Sequence, residues 1–397
     1  MMISVETALQ TVLGGLRPVA SEVVGLAQAA GRVLAEDVAA RVSHPPVAVS
    51  SMDGYALRAA DATQAPVRLP VIGQSAAGAA FAGEVGAGQA VRIFTGAPLP
   101  VGADCVVMQE DTVRDGDVVE IRVPVPAGRF VRAAGMDFKA GDALLSAGTV
   151  LNDRCIGLAA AMNHPWLVVR RRPRIAVLST GDEIVMPGEP MGPAQIVGSN
   201  GPALAALVEA AGGEAVHLGI ARDSRESLDA MIASAAGCDL LVTSGGASVG
   251  DYDLVQDALA GAGLHLGFYK VAMRPGKPLM FGDLRGVPVL GLPGNPVSAM
   301  VCAIIFLGPM IRAMLGRPPE NPSMAARLGC DLPANDQRQD YLRGEVTRDA
   351  GGALVAVPFG QQDSAMLAGL ARASCLVIRP PHAPAAGAGE MVRVILL

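Results

Sequence analysis

Apolar strands and helical segments alternate between residues 174 and 307, and this alternation constrains the fold more than any other feature of the sequence. The strand-like runs RIAVLST, EAVHLGI, CDLLVTSG and VPVLGL are separated by helical segments such as ALAALVEAAGG and DLVQDALAGAG. Strands that alternate with helices in this way form a largely parallel sheet with helices on both faces. The sequence therefore predicts a three-layer α/β/α domain.

The flanking regions have different patterns. Short β-rich runs such as VRLPVIG and QAVRIF alternate with Gly, Pro and Asp turns in the first half, and YLRGEV and MVRVILL follow near the end. Helical spacing marks the N-terminal residues and continues through LAQAAGRVLAEDV. We predict four domains: a helical domain I from residues 1–43 plus 136–170, a β-rich domain II at 44–135, the α/β domain III at 171–317, and a small β-barrel or sandwich, domain IV, at 318–397.

Composition excludes several classes of protein. The formal net charge of -6 and the 3% aromatic content disfavour nucleic-acid binding, which needs a basic face or stacking platforms. The N-terminus lacks the pattern of a signal peptide, and Pro309 interrupts the longest apolar run, which favours a buried helix over a membrane span. Six cysteines without a CxxC pair indicate reduced thiols in the cytoplasm. Because the five histidines are dispersed, a hard cation held by oxygens is expected rather than zinc.

Three strand ends of the α/β domain carry unusual residues. Gly181, Asp182 and Glu183 follow the first strand, the stretch TSGGASVGDYD (residues 243–253) follows the third, and Pro293-Gly294-Asn295 precedes the last helix. Ligands bind beyond the carboxyl ends of parallel strands, where small residues let an anion approach main-chain amides. Each motif alone is more often a turn or helix cap. Their coincidence at one sheet edge predicts a binding site.

A basic cluster, KVAMRPGKP, contributes Lys270, Arg274 and Lys277 to the same region. Such charges are usually solvated, but Arg274 and Lys277 flank a Pro-Gly turn that would fix their directions. Carboxylates together with this cluster indicate phosphate held with Mg²⁺ and a second, multiply charged oxyanion. No Walker A loop or GxGxxG motif is present, which disfavours an ordinary NTPase or dehydrogenase.

Eight motifs occur together in a characteristic order: SSMDGYALR, IFTGAPLPVGADCVVMQE, GMDFKAGD, LSTGDEI, TSGGASVGDYD, MRPGKP, GLPGNPVSA and QRQDYLRGEV. With these motifs the chain resembles the molybdopterin molybdenumtransferases, the MoeA family that includes the gephyrin E domain. The resemblance implies an elongated helical N-terminal part, a β-rich second domain, an α/β domain like that of the molybdopterin adenylyltransferases, and a C-terminal β-barrel. It also implies insertion of molybdate into adenylylated molybdopterin, with Mg²⁺-dependent cleavage of the phosphoanhydride and release of AMP.

The resemblance assigns roles to individual residues. The implied catalytic residues are Asp53, Thr95, Asp137, Glu183, Asp223 and Asp253. The implied contacts to molybdopterin and its phosphate are Thr180, Gly181, Asp182, Ser244, Gly245, Gly246, Ser248, Gly250, Pro293, Gly294 and Asn295. Molybdate would meet Arg274, Lys277, Ser298, Ser364 and one of Arg338 and Arg343. Mg²⁺ would be held by Glu183 with Asp251 or Asp253.

The family resemblance further implies a cytoplasmic homodimer in which Asp53 and Thr95 of one subunit meet Glu183 and Asp253 of the other. Its expected partners are a molybdopterin adenylyltransferase and the molybdoenzymes, or their chaperones, that receive the cofactor; nucleic acids and membranes are not expected. Two alternatives remain open: an adenylyltransferase-like activity of the α/β domain, and a scaffold or carrier module of the gephyrin type.

Overall fold

The structure, a computed structural model, describes residues 2–245 and 254–397. For Leu254 it describes the main chain and not the side chain. These residues form two compact units, one of residues 23–169 and one that combines residues 1–22 with 170–397. The division into four domains stays a prediction. Each unit is described separately below.

The N-terminal segment contains α1 (Val5–Gly14) and β1 (Ser21–Gly25). The helix begins at Ser4, whose side-chain oxygen accepts the main-chain N–H of Thr7. Val5, Ala8 and Val12 are buried at the i, i+3, i+7 spacing of one helical face. The helical pattern predicted for this segment is therefore confirmed.

The unit of residues 23–169 is mainly β-structure. Its elements are α2 (Leu26–Ala29), β2 (Val38–Ala39), β3 (Val49–Ser50), β4 (Gly54–Leu57), a 3₁₀ turn (Ala59–Ala62), β5 (Val67–Ser75), β6 (Ala90–Ile93), β7 (Cys105–Met108), a second 3₁₀ turn (Gln109–Asp111), β8 (Thr112–Asp115), β9 (Val118–Ile121), β10 (Val131–Arg132), β11 (Ala143–Leu145), α3 (Asp153–Ala161) and β12 (Trp166–Arg170).

Strands β4 to β9 form one six-stranded sheet in the order β7-β4-β6-β5-β9-β8. Its core contains Tyr55, Leu57 and Val107, with Val119 and Ile121 from the neighbouring hairpin. This sheet confirms the β-rich region predicted from the alternating runs. A second core, around Leu34, Phe138 and Leu151, joins α2 and α3 to the short strand pair β2–β11.

The long helix expected over LAQAAGRVLAEDV is wrong beyond its first turn, because α2 ends at Ala29. Gly31 has a φ of +75°, in the left-handed region that ends helices. Val33 and Leu34 then form bridges to Val150 and Val169, so tertiary pairing overrides the helical spacing of this segment.

The α/β region follows the predicted alternation. Its elements are β13 (Arg174–Thr180), β14 (Ile184–Val185), β15 (Ile196–Val197), α4 (Asn200–Ala210), β16 (Glu214–Ala221), α5 (Arg225–Ala233), β17 (Leu240–Ser244), α6 (Leu254–Ala262), β18 (Leu264–Lys270), β19 (Met273–Arg274), β20 (Pro278–Leu284), β21 (Val287–Leu292), α7 (Pro296–Cys302), a π-helical turn (Ala303–Leu307) and α8 (Gly308–Met314).

The sheet order is β16-β13-β17-β21-β20-β18, in which the first four strands are parallel and β20 runs antiparallel to both of its neighbours. Leu228 and Ile232 of α5 and Leu259 of α6 cover one face, packed on Leu178 and Leu241. Helices α4, α7 and α8 pack on the other. The predicted three-layer architecture is confirmed.

The apolar run that ends this region is one continuous helical segment, Pro296–Met314. It is long and apolar enough to cross a membrane, but 78% of its most apolar window is buried inside the protein. Pro309 has no N–H to donate, and just before it the Gly308 N–H bonds to the carbonyl of Ala303, five residues back. The burial supports the predicted core helix.

The C-terminal region contains β22 (Met324–Leu328), β23 (Gln339–Arg348), β24 (Leu354–Pro358), α9 (Leu367–Arg372), β25 (Cys375–Arg379) and β26 (Met391–Leu396). These five strands close into a barrel in the order β23-β24-β22-β26-β25, because β25 also pairs with β23. Strand β19 of the α/β region extends the barrel by pairing parallel to β23. The structure thus selects the barrel over the sandwich.

Candidate active site

A cavity of about 610 Å³ opens at the carboxyl ends of β13, β17 and β21. These strands are adjacent, and their register places Ser244 beside Ser179 on one side and beside Leu292 on the other. The three strand ends singled out in the sequence therefore lie side by side, as the rule for parallel sheets requires.

Seven of the predicted site residues line the cavity: Glu183, Ser244, Gly245, Pro293, Gly294, Asn295 and Ser298. The walls also include residues that the sequence did not indicate, from the β14–β15 segment, the start of α4 and the C-terminal barrel region: Ile184, Ile196, Val197, Gly198, Ser199, Asn200 and Ala365. Pro278, the last residue of the basic motif, lines the cavity from the start of β20.

Gly181 and Gly245 directly follow β13 and β17, and their lack of a side chain allows close packing at these two strand ends. Gly245 has a φ of +100°, and a Cβ there would lie 2.4 Å from the carbonyl oxygen of Thr180. Gly181 has a φ of +138°, and its Cβ would lie 2.4 Å from Oε2 of Glu183. Both positions therefore require glycine. Thr180 itself is buried, and its hydroxyl has no hydrogen-bond partner among the described residues.

Glu183 is exposed at the rim of the cavity. Its main-chain carbonyl accepts the N–H of Ile196, which ties it to the β14–β15 segment. Within residues 2–245 and 254–397, its carboxylate makes no hydrogen bond or ion pair. An unpaired carboxylate beside a cavity of small residues can accept a hard cation.

Asp182 and Asp223 lie together but have mainly structural partners. Each carboxylate accepts the main-chain N–H of the other residue, at 3.2 Å to Asp182 Oδ1 and 3.4 Å to Asp223 Oδ2. This pair links the loop after β13 to the loop after β16. Neither residue lines the cavity described above.

The C-terminal region supplies one wall of the cavity. Ser364 Oγ accepts a hydrogen bond of 2.9 Å from Asn295 Nδ2, and its carbonyl accepts the N–H of Val297. Arg343 fixes the same loop by donating to the carbonyl of Asp363 at 2.9 Å. Arg343 is buried, which lowers the pKa of its guanidinium, and its Nη2 has no hydrogen-bond partner among the described residues.

The basic residues predicted for the molybdate pocket have different surroundings. Arg274 lines a separate cavity of about 370 Å³ within the C-terminal region, where its guanidinium is bound to Asp340. Arg338 pairs with Asp336 at 2.8 Å. Lys277 is exposed, precedes Pro278 of the main cavity and has no ion pair within the described ranges. Arg274 and Ser298 thus line different cavities, and their joint role at molybdate stays a prediction.

Asp53, Thr95 and Asp137 belong to the unit of residues 23–169. Asp53 Oδ1 accepts two hydrogen bonds from Thr95, 2.7 Å from its main-chain N–H and 2.8 Å from its hydroxyl. The main-chain bond first, and then the hydroxyl bond, lower the pKa of Asp53. Asp137 is exposed, and its N–H donates to the carbonyl of His44.

Five predicted residues, Gly246, Ser248, Gly250, Asp251 and Asp253, lie outside the described residues. Within the described ranges, no group of three or more His, Cys, Asp or Glu side chains is placed to hold a metal ion. The cation site predicted from Glu183 and these two acids therefore stays a prediction.

Comparisons with known proteins assign the chain to a family. Three family models match it in succession: "MoeA N-terminal region (domain I and II)" over residues 3–163, "Probable molybdopterin binding domain" over 176–313, and "MoeA C-terminal region (domain IV)" over 325–397. A molybdopterin molybdenumtransferase of Nostoc sp. is 38% identical over 387 residues, which cover 95% of this chain and 89% of that protein. The chain belongs to the molybdopterin molybdenumtransferase family.

Further relatives agree with this family assignment. Molybdopterin molybdenumtransferase 2 of Mycobacterium tuberculosis is 38% identical over 382 residues, or 94% of each chain. The crystal structure of the molybdopterin biosynthesis MoeA protein from Pyrococcus horikosii superposes with a TM-score of 0.88 at 33% identity, covering 100% of this chain and 99% of that one. The predicted family and multidomain α/β fold are confirmed, and with them an enzyme of molybdenum cofactor biosynthesis.

Proposed function

We propose that this member of the molybdopterin molybdenumtransferase family inserts molybdate into adenylylated molybdopterin and releases AMP and molybdenum cofactor. The cavity at the ends of β13, β17 and β21 carries this proposal. Its volume suits a small organic ligand. Its glycine-containing loops let the phosphate end of such a ligand approach main-chain amides.

Mg²⁺ fits the donors at the rim of this cavity, because Glu183 offers an unpaired carboxylate and hard cations prefer oxygen ligands. Glu183 would hold the ion together with Asp251 or Asp253. When bound, Mg²⁺ would neutralise negative charge on the phosphoanhydride. Gly181 leaves room for the Glu183 carboxylate, and the loops after β17 and β21 orient the pterin's phosphate end.

Molybdate is the second substrate. Ser298 lines the cavity, and Lys277 and Ser364 directly precede the lining residues Pro278 and Ala365. Lys277 supplies a positive charge without a partner among the described residues, which suits an oxyanion. Ser298 is buried at the start of α7 and lines the cavity. We place molybdate between these groups and the dithiolene of the bound pterin.

The decisive experiment measures AMP release from adenylylated molybdopterin with and without Mg²⁺ and molybdate. We expect release to require both, and Glu183→Gln to slow it about 100- to 1000-fold, the usual effect of removing one electrostatic group from the reaction site. Glu189→Gln is the matched control, because the Glu189 carboxylate accepts the N–H of Met186 in the same segment and glutamine keeps an acceptor. Release that needs no molybdate, or that survives Glu183→Gln, contradicts the proposal.

We further propose that the active species is a cytoplasmic homodimer in which the partner's Asp53 and Thr95 complete the site. Exposed apolar side chains beside the cavity support an interface there: Met191 and Ile196 are each 59% exposed, and Met186 is 43% exposed. The six cysteines are all free thiols, which supports a reducing compartment. An adenylyltransferase would supply the substrate, and molybdoenzymes or their chaperones would receive the product.

Subunit complementation tests the shared site. Glu183→Ala and Asp53→Ala should each abolish AMP release, and mixing them under conditions of subunit exchange should restore part of it, because each mixed dimer contains one intact site. Sedimentation of each variant checks that the dimer persists. Exchange without any recovery of activity argues against a site shared between subunits.

A further inference from the structure

We propose that Asn200 is a positioning residue that locks the two phosphate-binding loops of the cavity together, and that Ser244 acts through Asn200 rather than on the substrate. This inference rests on the proposed function and adds a role that the sequence motifs did not indicate. Asn200 is the first residue of α4 and lines the cavity.

The side-chain amide of Asn200 spans the ends of two strands. Its Nδ2 donates to Ser244 Oγ at 2.8 Å and to the carbonyl oxygen of Gly294 at 2.7 Å. A carbonyl can only accept, so the amide nitrogen must face Gly294. Both amide hydrogens are thus used, one on the last residue of β17 and one on the loop after β21.

Ser244 is fully committed by this arrangement. It is 1% exposed, its oxygen accepts from Asn200, and its hydroxyl donates to the carbonyl of Pro293 at 3.4 Å. A serine hydroxyl has one hydrogen, which here faces the Pro293 carbonyl, and with 1% exposure the side chain offers little surface to a phosphate oxygen. The geometry therefore assigns Ser244 a role in holding the loops, in place of the phosphate contact implied by the resemblance.

The bridge lies where the sheet ends. Beyond Ser244 and Leu292, the pair that ends the ladder between β17 and β21, Gly245 N–H reaches the Leu292 carbonyl only at 3.4 Å. At this point the side chain of Asn200 connects the two strand ends in place of main-chain hydrogen bonds. Asn200 belongs to α4, which is separate from both of these segments. Without the Asn200 side chain, the Gly245 and Gly294 segments are joined by two longer bonds of 3.4 Å, from Ser244 Oγ to the Pro293 carbonyl and from the Gly245 N–H to the Leu292 carbonyl. A ligand held by both segments must then order them on binding.

The bridge has no direct hydrogen bond to Lys277 or Ser364, the residues proposed for molybdate, among the described residues. It contacts the floor of the cavity at Ser244 and Gly294. Loss of Asn200 should therefore weaken binding of the pterin nucleotide and leave the molybdate requirement nearly unchanged. A general structural defect would affect both.

The test is a double-mutant cycle on the dissociation constant of adenylylated molybdopterin, measured by equilibrium dialysis with the full-length protein. We expect Asn200→Ala to raise this constant about tenfold, which corresponds to about 1.4 kcal/mol. We expect Asn200→Ala/Ser244→Ala to match Asn200→Ala, because both residues act through one bridge. Half-saturation by molybdate in AMP release should change less than twofold.

Asn200→Asp has a matched control in Asn152→Asp. The first substitution would turn a carboxylate oxygen toward the Gly294 carbonyl in place of the amide donor, so binding should weaken at least as much as with alanine. Asn152 caps α3 by accepting the N–H of Cys155, a role that aspartate keeps, so the control should bind like the wild type. Thermal unfolding of each variant confirms that the protein is folded.

Hydrogen exchange separates failure of this inference from failure of the proposed function. The amides of residues 244–245 and 294–295 should exchange faster in Asn200→Ala than in the wild type, whether or not a ligand binds. Unchanged exchange, or unchanged nucleotide affinity, overturns the positioning role. If Asn200→Ala and Ser244→Ala raise the dissociation constant independently of each other, Ser244 contacts the ligand directly. A wild-type protein that binds no pterin nucleotide refutes the proposed function, while the exchange result still decides the bridge.

Discussion

The guanidinium group of Arg274 forms a two-pronged ion pair with the carboxylate of Asp340, whose side chain is 5% exposed. Nε donates to Oδ1 at 2.9 Å, and Nη2 donates to Oδ2. The remaining donors face Asp336 Oδ2 at 3.5 Å and Asn335 Oδ1 at 3.3 Å. Arg274 therefore joins the α/β region to the C-terminal barrel, and its positive charge is already compensated.

Replacement of Arg274 should thus affect stability more than molybdate binding. Arg274→Ala leaves the buried Asp340 carboxylate without its partner and should lower the free energy of unfolding by about 2 kcal/mol. The free energy of unfolding of Arg274→Lys should lie between those of the wild type and Arg274→Ala, because an ammonium group keeps the charge but cannot form both parallel bonds. Denaturant unfolding measures both variants.

Lys277 is the matched control, since it is exposed and has no ion pair within the described part of the chain. Lys277→Ala should leave the unfolding free energy within about 0.5 kcal/mol of the wild type. It should instead raise the molybdate concentration needed for half-maximal AMP release. The reverse assignment, with Arg274 governing molybdate and Lys277 governing stability, would contradict this division of roles.

The bond between Asp53 and Thr95 should be visible in the titration of Asp53. Its pKa lies below the ordinary value of 3.8, chiefly because of the Thr95 main-chain N–H and secondly because of the hydroxyl. Because the folded-state pKa is lowered, the stabilising effect is present above pH 3.8 and is lost as the pH falls through the folded-state value. Asp53 should therefore remain an anion throughout the neutral range.

Thr95→Val removes the hydroxyl and keeps the shape and the main-chain donor. We expect the pKa of Asp53, followed by carboxyl NMR, to rise while remaining below its ordinary value. Thr95→Ser keeps both donors and should leave the titration unchanged. A pKa that does not move with valine would show that the hydroxyl bond contributes nothing.

Gly181 should be required for the position of the Glu183 carboxylate. Gly181→Ala would place a Cβ 2.4 Å from Glu183 Oε2 and would force an alanine to a φ of +138°. We expect a loss of stability of about 1–2 kcal/mol from the backbone and, in addition, slower AMP release because Glu183 is displaced.

Gly188 supplies the comparison for this prediction. It has a φ of +91°, but a Cβ there would meet no heavy atom within 4 Å. Gly188→Ala should therefore cost stability alone, measured by thermal unfolding, and leave the rate of AMP release near that of the wild type. Equal rates for the two alanine variants would argue against a steric role for Gly181.

Arg343 and Arg338, the two candidates for the molybdate arginine, should differ in function. Arg343 holds the Asp363 carbonyl next to Ser364 and has a buried Nη2 without a partner among the described residues, whereas Arg338 is paired with Asp336. We expect Arg343→Met to raise the half-saturating molybdate concentration and Arg338→Met to leave it within about twofold. A larger effect at Arg338 would reverse the assignment.

Local sequence patterns predicted the parallel sheet and the edge of that sheet where the cavity lies. Strand and helix alternation gave the parallel sheet, and the glycines and acids after β13, β17 and β21 marked the edge where the cavity opens. This works because parallel strands in consecutive βα units must all end at the same edge of the sheet. The same reasoning failed at residues 30–38, where the pairing of Leu34 with Val169 is remote in sequence.

Partners that are distant in the chain could be found only in the tertiary structure. Asn200 has the sequence signature of an ordinary helix start, yet it contacts residues 44 and 94 positions away. Arg274 belongs to a basic motif, yet a carboxylate 66 positions later binds its guanidinium. The sequence by itself determined which residue types stand at each strand end. The tertiary structure decided which of those charges and amides are already paired, because pairing depends on distances that the chain order does not contain.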